Sequence, residues 1–135
     1  MIKNLLNTQL REKRADLMLL LLRVSFGGMM LTHGYPKLQK VIAGDMTFGD
    51  PLGIGAGPSL ILAAFAEFFA SIGLIFGFFT RINAVLLTFT MWVAAFIQHG
   101  DDPFGRMEKA VLYLVVFIVL TFLGGGKYSV DDRLY

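Results

Sequence analysis

The sequence predicts an all-α integral membrane protein, a four-helix bundle whose two halves echo each other as repeated helical hairpins. Three observations predict it. The chain is 56% hydrophobic, with thirteen Phe and a mean hydropathy of +0.65, well beyond an ordinary soluble domain. Only 16% of its 135 residues are charged, too few for a water-facing surface. The apolar residues gather in four runs, at about 17–33, 58–79, 82–98 and 108–124, each close to the roughly 20 residues that cross a hydrocarbon core. The runs are dense in Leu, Ala and Phe and do not alternate, so helices are expected and not barrel strands.

Residues 1–16 are polar and mixed in charge, and no small-residue cleavage site follows them. They read as a cytoplasmic leader, an amphipathic surface helix feeding a retained membrane span. The first span closes on Leu31-Thr32-His33-Gly34-Tyr35-Pro36-Lys37. Glycine after a last turn and proline beyond it predict a stop there. The connection over 35–57 is long for a helical hairpin. Its Gly53-Ile54-Gly55-Ala56-Gly57-Pro58 stretch resembles a nucleotide loop, but no strand precedes it. It reads as a flexible lead into the second span, with Pro58 opening the helix.

In the second span Ala63, Ala66, Ala70, Gly73 and Gly77 recur at alternating spacings of three and four, a small-residue seam that lets a neighbouring helix approach. Phe65, Phe68, Phe69, Phe76 and Phe79 fall largely opposite. Thr80-Arg81 is a tight turn into the third span, which closes on Ile97-Gln98-His99-Gly100-Asp101-Asp102-Pro103. Gly124-Gly125-Gly126 ends the fourth span, and 125–135 form a tail. Trp92 and Tyr113 read as packing or interfacial residues.

Four spans place both termini on one side of the membrane. That side carries Lys3, Arg11, Lys13, Arg14, Arg81, Lys127 and Arg133; the other carries Lys37, Lys40, Arg106 and Lys109. The positive-inside bias puts both termini in the cytoplasm. With no cysteine, the chain can build no thiol shuttle, iron–sulfur cluster or Cys-zinc site, and no metal site is expected. The net charge of +2 is spread out, which argues against nucleic acid.

Arg23 and Glu67 lie inside spans, where an ionised group needs a partner or water. If His33 and Pro58 mark one membrane face, both sit about 13 to 15 Å from it at 1.5 Å per residue. A buried Arg23–Glu67 pair follows, with Gly27 leaving room for the arginine. Such a pair can fix helix register, serve function, or do both. His33 and His99 each have an ordinary reading as last-turn residues favoured by the helix dipole. The functional reading makes them proton carriers or hydrogen-bonding partners of a quinone, with haem ligation the weaker alternative. Glu108 could join them, though an acid early in a helix also suits the dipole. The candidate catalytic residues are His33, Glu67 and His99; the candidate cofactor-binding residues are Arg23, Glu67, His99 and Glu108.

Several stretches together resemble the DoxX family of bacterial membrane proteins. They are His33-Gly34-x-Pro36-Lys37, Gly55-x-Gly57-Pro58, Glu67, Gly77-x-x-Thr80-Arg81, Phe96-x-x-His99-Gly100-x-x-Pro103-Phe104, Glu108-x-x-x-x-Tyr113 and Gly124-x-Gly126-Lys127-Tyr128-Ser129-x-Asp131. The resemblance covers about residues 17–131, and it is the order and spacing of the motifs that carry it. It implies a four-helix protein of the bacterial inner membrane, usually labelled an oxidoreductase. Some relatives are similar to the small subunit of thiosulfate:quinone oxidoreductase, and others are associated with redox-stress defence. Three functions are then expected to compete: a subunit of a quinone-linked redox system, a non-catalytic scaffold for soluble redox enzymes, and a small-molecule carrier. The expected partners are the lipid bilayer, a quinone, soluble redox enzymes or another subunit, and further copies of the chain in a homo-oligomer.

Overall fold

Apolar runs this long must satisfy their own backbone amides, and a helix does so within one segment. In the computed structural model, which describes residues 11–135, the chain is all-helical, with no strand among the described residues. α1 spans Glu12–Ala43, α2 Ala56–Phe76, α3 Thr80–Gln98, α4 Phe104–Leu123 and the short α5 Val130–Leu134. α1, α2 and α3 are long and apolar enough to cross a membrane. α4 has 20 residues but gathers Arg106, Glu108 and Lys109 near its start. The surface helix expected of the leader falls mostly on residues 1–10, outside the described residues. Among the described residues α1 starts at Glu12.

α1 corrects the stop expected at Gly34. It runs unbroken for 32 residues through Pro36 and ends only at Gly44, whose φ of 75° is left-handed. At 1.5 Å per residue it is about 48 Å long, more than a bilayer core. Proline costs a helix its amide and crowds the carbonyl four residues back. Here Thr32 Oγ1 turns onto the Met29 carbonyl at 2.6 Å, and Lys37 Nζ donates to the His33 carbonyl at 3.4 Å. The carbonyl that Pro36 leaves without an amide is that of Thr32, and these two bonds flank it without reaching it. Gly34 therefore serves contact and not termination. A Cβ there would stand 2.5 Å from the Glu67 carbonyl carbon, so α1 and α2 touch backbone to backbone.

This changes the helix register. A helix end at Gly34 would align His33 with the start of α2, but α1 continues to Ala43. Gly34 lies against Glu67, and Gly27 against Ser71 and Ile75. Arg23 thereby falls beside the end of α2 and not beside Glu67. Gly27 makes room for α2, not for the arginine. The expected Arg23–Glu67 pair does not form.

The other boundaries move less. α2 ends at Gly77, with φ of 69°. α4 starts at Phe104 after Pro103, so Pro103 opens the fourth helix instead of closing the third. Gly124 ends α4 as expected. His33 lies within α1 and His99 just past α3, so the two His-Gly dipeptides occupy unlike positions.

One apolar core joins the helices, with Leu19 and Met30 from α1, Leu74 from α2, Leu87 and Met91 from α3 and Phe117 from α4. Ala66, Ala70 and Gly77 of the seam are buried, while Phe65, Phe69, Phe76 and Phe79 opposite are exposed. Exposed Val24, Ile82, Leu112, Val115 and Phe122 extend that apolar exterior over the other helices.

The tail clasps the end of α2. Arg23 is fully buried, and its guanidinium donates to the carbonyls of Leu74 at 3.2 Å, Ile75 at 3.4 Å and Tyr128 at 2.6 Å. The last carbonyls of a helix lack amide partners and carry the negative end of its dipole, so a cation belongs there. Asp131 accepts from the Phe79 and Thr80 amides at 2.7 and 2.8 Å and so caps α3. Burial works to raise the Asp131 carboxyl, but those amide bonds and the Arg23 charge outweigh it and hold its pKa below the ordinary value. Asp16 of α1 accepts from the Lys127 amide at 3.0 Å.

Candidate functional site

Glu67 is nearly buried, and the local backbone explains how it is aimed. Residues Ala66–Ala70 form a π-helical turn inside α2. A π-turn inserts one residue into a helix turn and redirects the side chains there, and such turns recur at functional sites. The Ser71 hydroxyl donates to the Glu67 carbonyl at 2.7 Å, satisfying an acceptor that the widened turn disturbs. From this position the carboxylate Oε2 forms an ion pair with Lys37 Nζ of α1. Lys37 is one helical turn beyond His33, which brings it here only because α1 continues through Pro36.

α3 carries a second π-helical turn, Val93–Gln98. The His99 amide donates to the Ala94 carbonyl, five residues back, at 3.1 Å. This turn delivers His99 to the same region. His99 Nδ1 lies 2.8 Å from Asp102 Oδ2.

Between α2 and α3 at this end is a cavity of about 580 Å³. Its walls are largely apolar, with Leu62, Ala63 and Phe65 from α2 and Leu86, Phe89 and Val93 from α3. Lys37, Ser59, Glu67, Thr90, Gln98 and His99 supply its polar groups. The loop between α1 and α2 covers it with Phe48, Gly49, Pro51, Leu52 and Ile54. This loop is far shorter than the expected 35–57 connection and is well tied. The Asp50 carboxylate accepts from the Ile54 and Gly55 amides at 2.9 and 3.0 Å and from Ser59 Oγ at 3.2 Å. The glycine-rich stretch is thus a capped lead into α2. At its other end Asp45 accepts from the Thr47 hydroxyl and amide beside Lys40, which together hold its carboxyl below the ordinary value.

The structure brings two of the expected site residues, Glu67 and His99, to one cavity. His33 is close by but does not line it; its ring meets the Tyr113 ring edge-on, with centroids 6.0 Å apart. Tyr113 itself is buried against Phe26 and Phe117. Arg23 lies at the tail end and takes no part in the cavity. Glu108 is exposed on α4 and does not line it either. Sequence reasoning missed Lys37 and Asp102. The i,i+4 spacing from His33 to Lys37 would have found the first, had the helix been carried past Gly34.

These features define an all-helical membrane protein with an ion-paired, apolar-walled cavity at one end. The chain belongs to the DoxX family, whose model matches residues 18–100. It is similar to an uncharacterized protein of Haemophilus influenzae, at 30% identity over 92% of this chain and 96% of that one. It is also similar to the Escherichia coli inner membrane protein YqjF, at 27% identity over 91% and 96%. A Bacillus subtilis relative named "Putative oxidoreductase CatD" is 29% identical over 92% of each chain. No solved structure matches the chain.

Proposed function

We propose that this chain is an inner-membrane subunit of a quinone-linked redox system, with the quinone ring held in the cavity between α2 and α3. The observation that carries the reading is the cavity itself. It combines apolar walls open to the lipid-facing exterior with a Lys37–Glu67 pair and His99. Its size falls within the range of roughly 300–1,000 Å³ usual for small-molecule sites, and its donors and acceptors suit ring oxygens. The names of the relatives point the same way, to an inner membrane protein in one case and an oxidoreductase in another.

A bound quinone supplies two-electron, two-proton chemistry at its ring oxygens. Its electrons would have to come from or go to a partner redox protein or second subunit. The residues of this chain handle position and protons. The Lys37 ammonium has three donors; Glu67 and the His33 carbonyl take two, and the third is available to a ring oxygen. Glu67 holds or releases a proton beside it, and His99 does so at the other helix. The apolar walls and the loop keep water away from the ring. Arg23 acts as a structural cation. In this reading α1 to α4 form a four-helix transmembrane bundle, and the basic bias places both termini and the tail in the cytoplasm.

The test is solvent extraction of protein purified in native lipid nanodiscs, with ultraviolet spectra of the extract before and after borohydride. A stoichiometric quinone, with quinone-dependent turnover lost in Glu67→Gln and His99→Ala, is the expected result. Normal turnover in both variants contradicts it. A quinone-free protein that crosslinks to a soluble redox enzyme would favour the scaffold function.

A further inference from the structure

We infer that Asp102 is a positioning residue that makes His99 a hydrogen-bond acceptor, so that the cavity selects the reduced, hydroxyl-bearing form of the ring. The inference rests on the quinone-site reading above and adds to it which redox form is held. A neutral imidazole has one donor and one acceptor nitrogen, and the hydrogen bond made by one fixes the role of the other. The Asp102 carboxylate, 2.8 Å from His99 Nδ1, can only accept, so Nδ1 carries the proton. In the neutral ring Nε2 then keeps its lone pair, and His99 lines the cavity.

The geometry is prepared in advance. The π-turn Val93–Gln98 sets the direction of His99, and the Asp102 amide closes the corner on the His99 carbonyl at 3.0 Å. The other polar end of the cavity offers an acceptor beside the spare Lys37 donor, so it takes either redox form, and the selection falls to His99. Glu67 Oε2 is engaged by Lys37, and Oε1 takes no hydrogen bond among the described residues. A ring bearing two hydroxyls can donate to both acceptors. A ring bearing two carbonyls leaves Nε2 facing another acceptor, an unfavourable contact in a low-dielectric site. A carboxylate that orients a histidine through its far nitrogen is a recurrent arrangement in catalytic and metal sites.

The tautomer is read by nitrogen-15 NMR of the histidine-labelled protein in nanodiscs; the chain has two histidines, and a His33→Gln sample assigns them. Binding is read by partition of ubiquinone-1 and, under argon, its hydroquinone into these discs against empty discs. The expected wild-type result is an Nδ1-protonated His99 and a preference for the hydroquinone of about tenfold, the worth of one hydrogen bond. Asp102→Asn, whose amide can either accept or donate, should mix the tautomers and bring the ratio close to one, and Asp102→Glu should restore both. A wild-type Nε2-protonated ring overturns the inference, as does a ratio unchanged in Asp102→Asn. Equal binding of the two forms by the wild type overturns the preference and leaves the quinone site standing. Binding of neither form, beside an Nδ1-protonated ring, removes the quinone reading and the preference together but keeps the positioning of His99.

Discussion

Lys37 and Glu67 are each unfavourable inside a membrane and tolerable together. Removing one partner of a buried pair leaves an uncompensated charge, at a typical cost of about 3–5 kcal/mol. The Lys37 side chain is 23% exposed and that of Glu67 6%, so Lys37→Met should be the more damaging single change and lie near the lower end of that range. Combining it with Glu67→Gln should recover much of the loss. Thermal unfolding in detergent, run as a double-mutant cycle, checks this, and additive losses would argue that the two side chains act independently. Gly34 gives a sharper steric case. Gly34→Ala pushes a methyl into the Glu67 backbone and should cost about 1–3 kcal/mol as overpacking. Gly28→Ala, where nothing lies within 4 Å, should be neutral or slightly stabilising through helix propensity. Glu67 and His99 were legible in the sequence because an acid inside an apolar run and a histidine at a glycine corner stand out. Lys37 was not, because it sits where a Gly-x-Pro pattern reads as the end of a helix.

The elements show why that pattern misled. Helix-stop signals are calibrated on chains in water, where freed carbonyls find solvent. In lipid the same glycine and proline persist inside a helix when neighbouring side chains and helices take up the strain. Continuing α1 to Ala43 then moved Arg23 from the cavity to the end of α2. The two π-turns were equally hidden, since nothing in Ala66–Ala70 or Val93–Gln98 marks an extra residue in a helical turn. The tail clasp was legible only as charged residues after a glycine run. It can be tested through Asp131. Its carboxyl is held below the ordinary value, so the stability it gives is complete above the unfolded value of about 3.9 and is lost as pH falls through the lower folded value. Amide exchange at Phe79 and Thr80, referred to the unfolded-chain rate at each pH, should report full protection down to about pH 4 and opening below it. Asp131→Asn should raise that exchange already at neutral pH, by about 0.5–2 kcal/mol as for other lost helix caps, and should abolish the acid transition.

On the scale of the whole molecule, the helical class and the membrane setting followed from hydropathy alone, and the family from the order of weak motifs. What the sequence could not supply was the relative register of α1 and α2, because one misplaced helix end shifts every pairing along the interface. The molecule that results is divided along its length. Arg23 and the tail fasten one end, and the cavity with its loop occupies the other. Variants of Arg23 and Asp131 should therefore lower stability, while variants of Lys37, Glu67 and His99 should also alter ligand binding. Trp92, the single tryptophan, reports directly on this division. Its ring stacks on Phe89, centroids 6.4 Å apart, and Phe89 lines the cavity. The most direct measurement is a titration of Trp92 fluorescence with ubiquinone-1 in nanodiscs, comparing wild type with Glu67→Gln and with Asp131→Asn. Saturable quenching in the wild type and Asp131→Asn, weakened in Glu67→Gln, is the predicted result. Linear, unsaturable quenching that is the same in all three proteins would contradict a quinone site in the cavity.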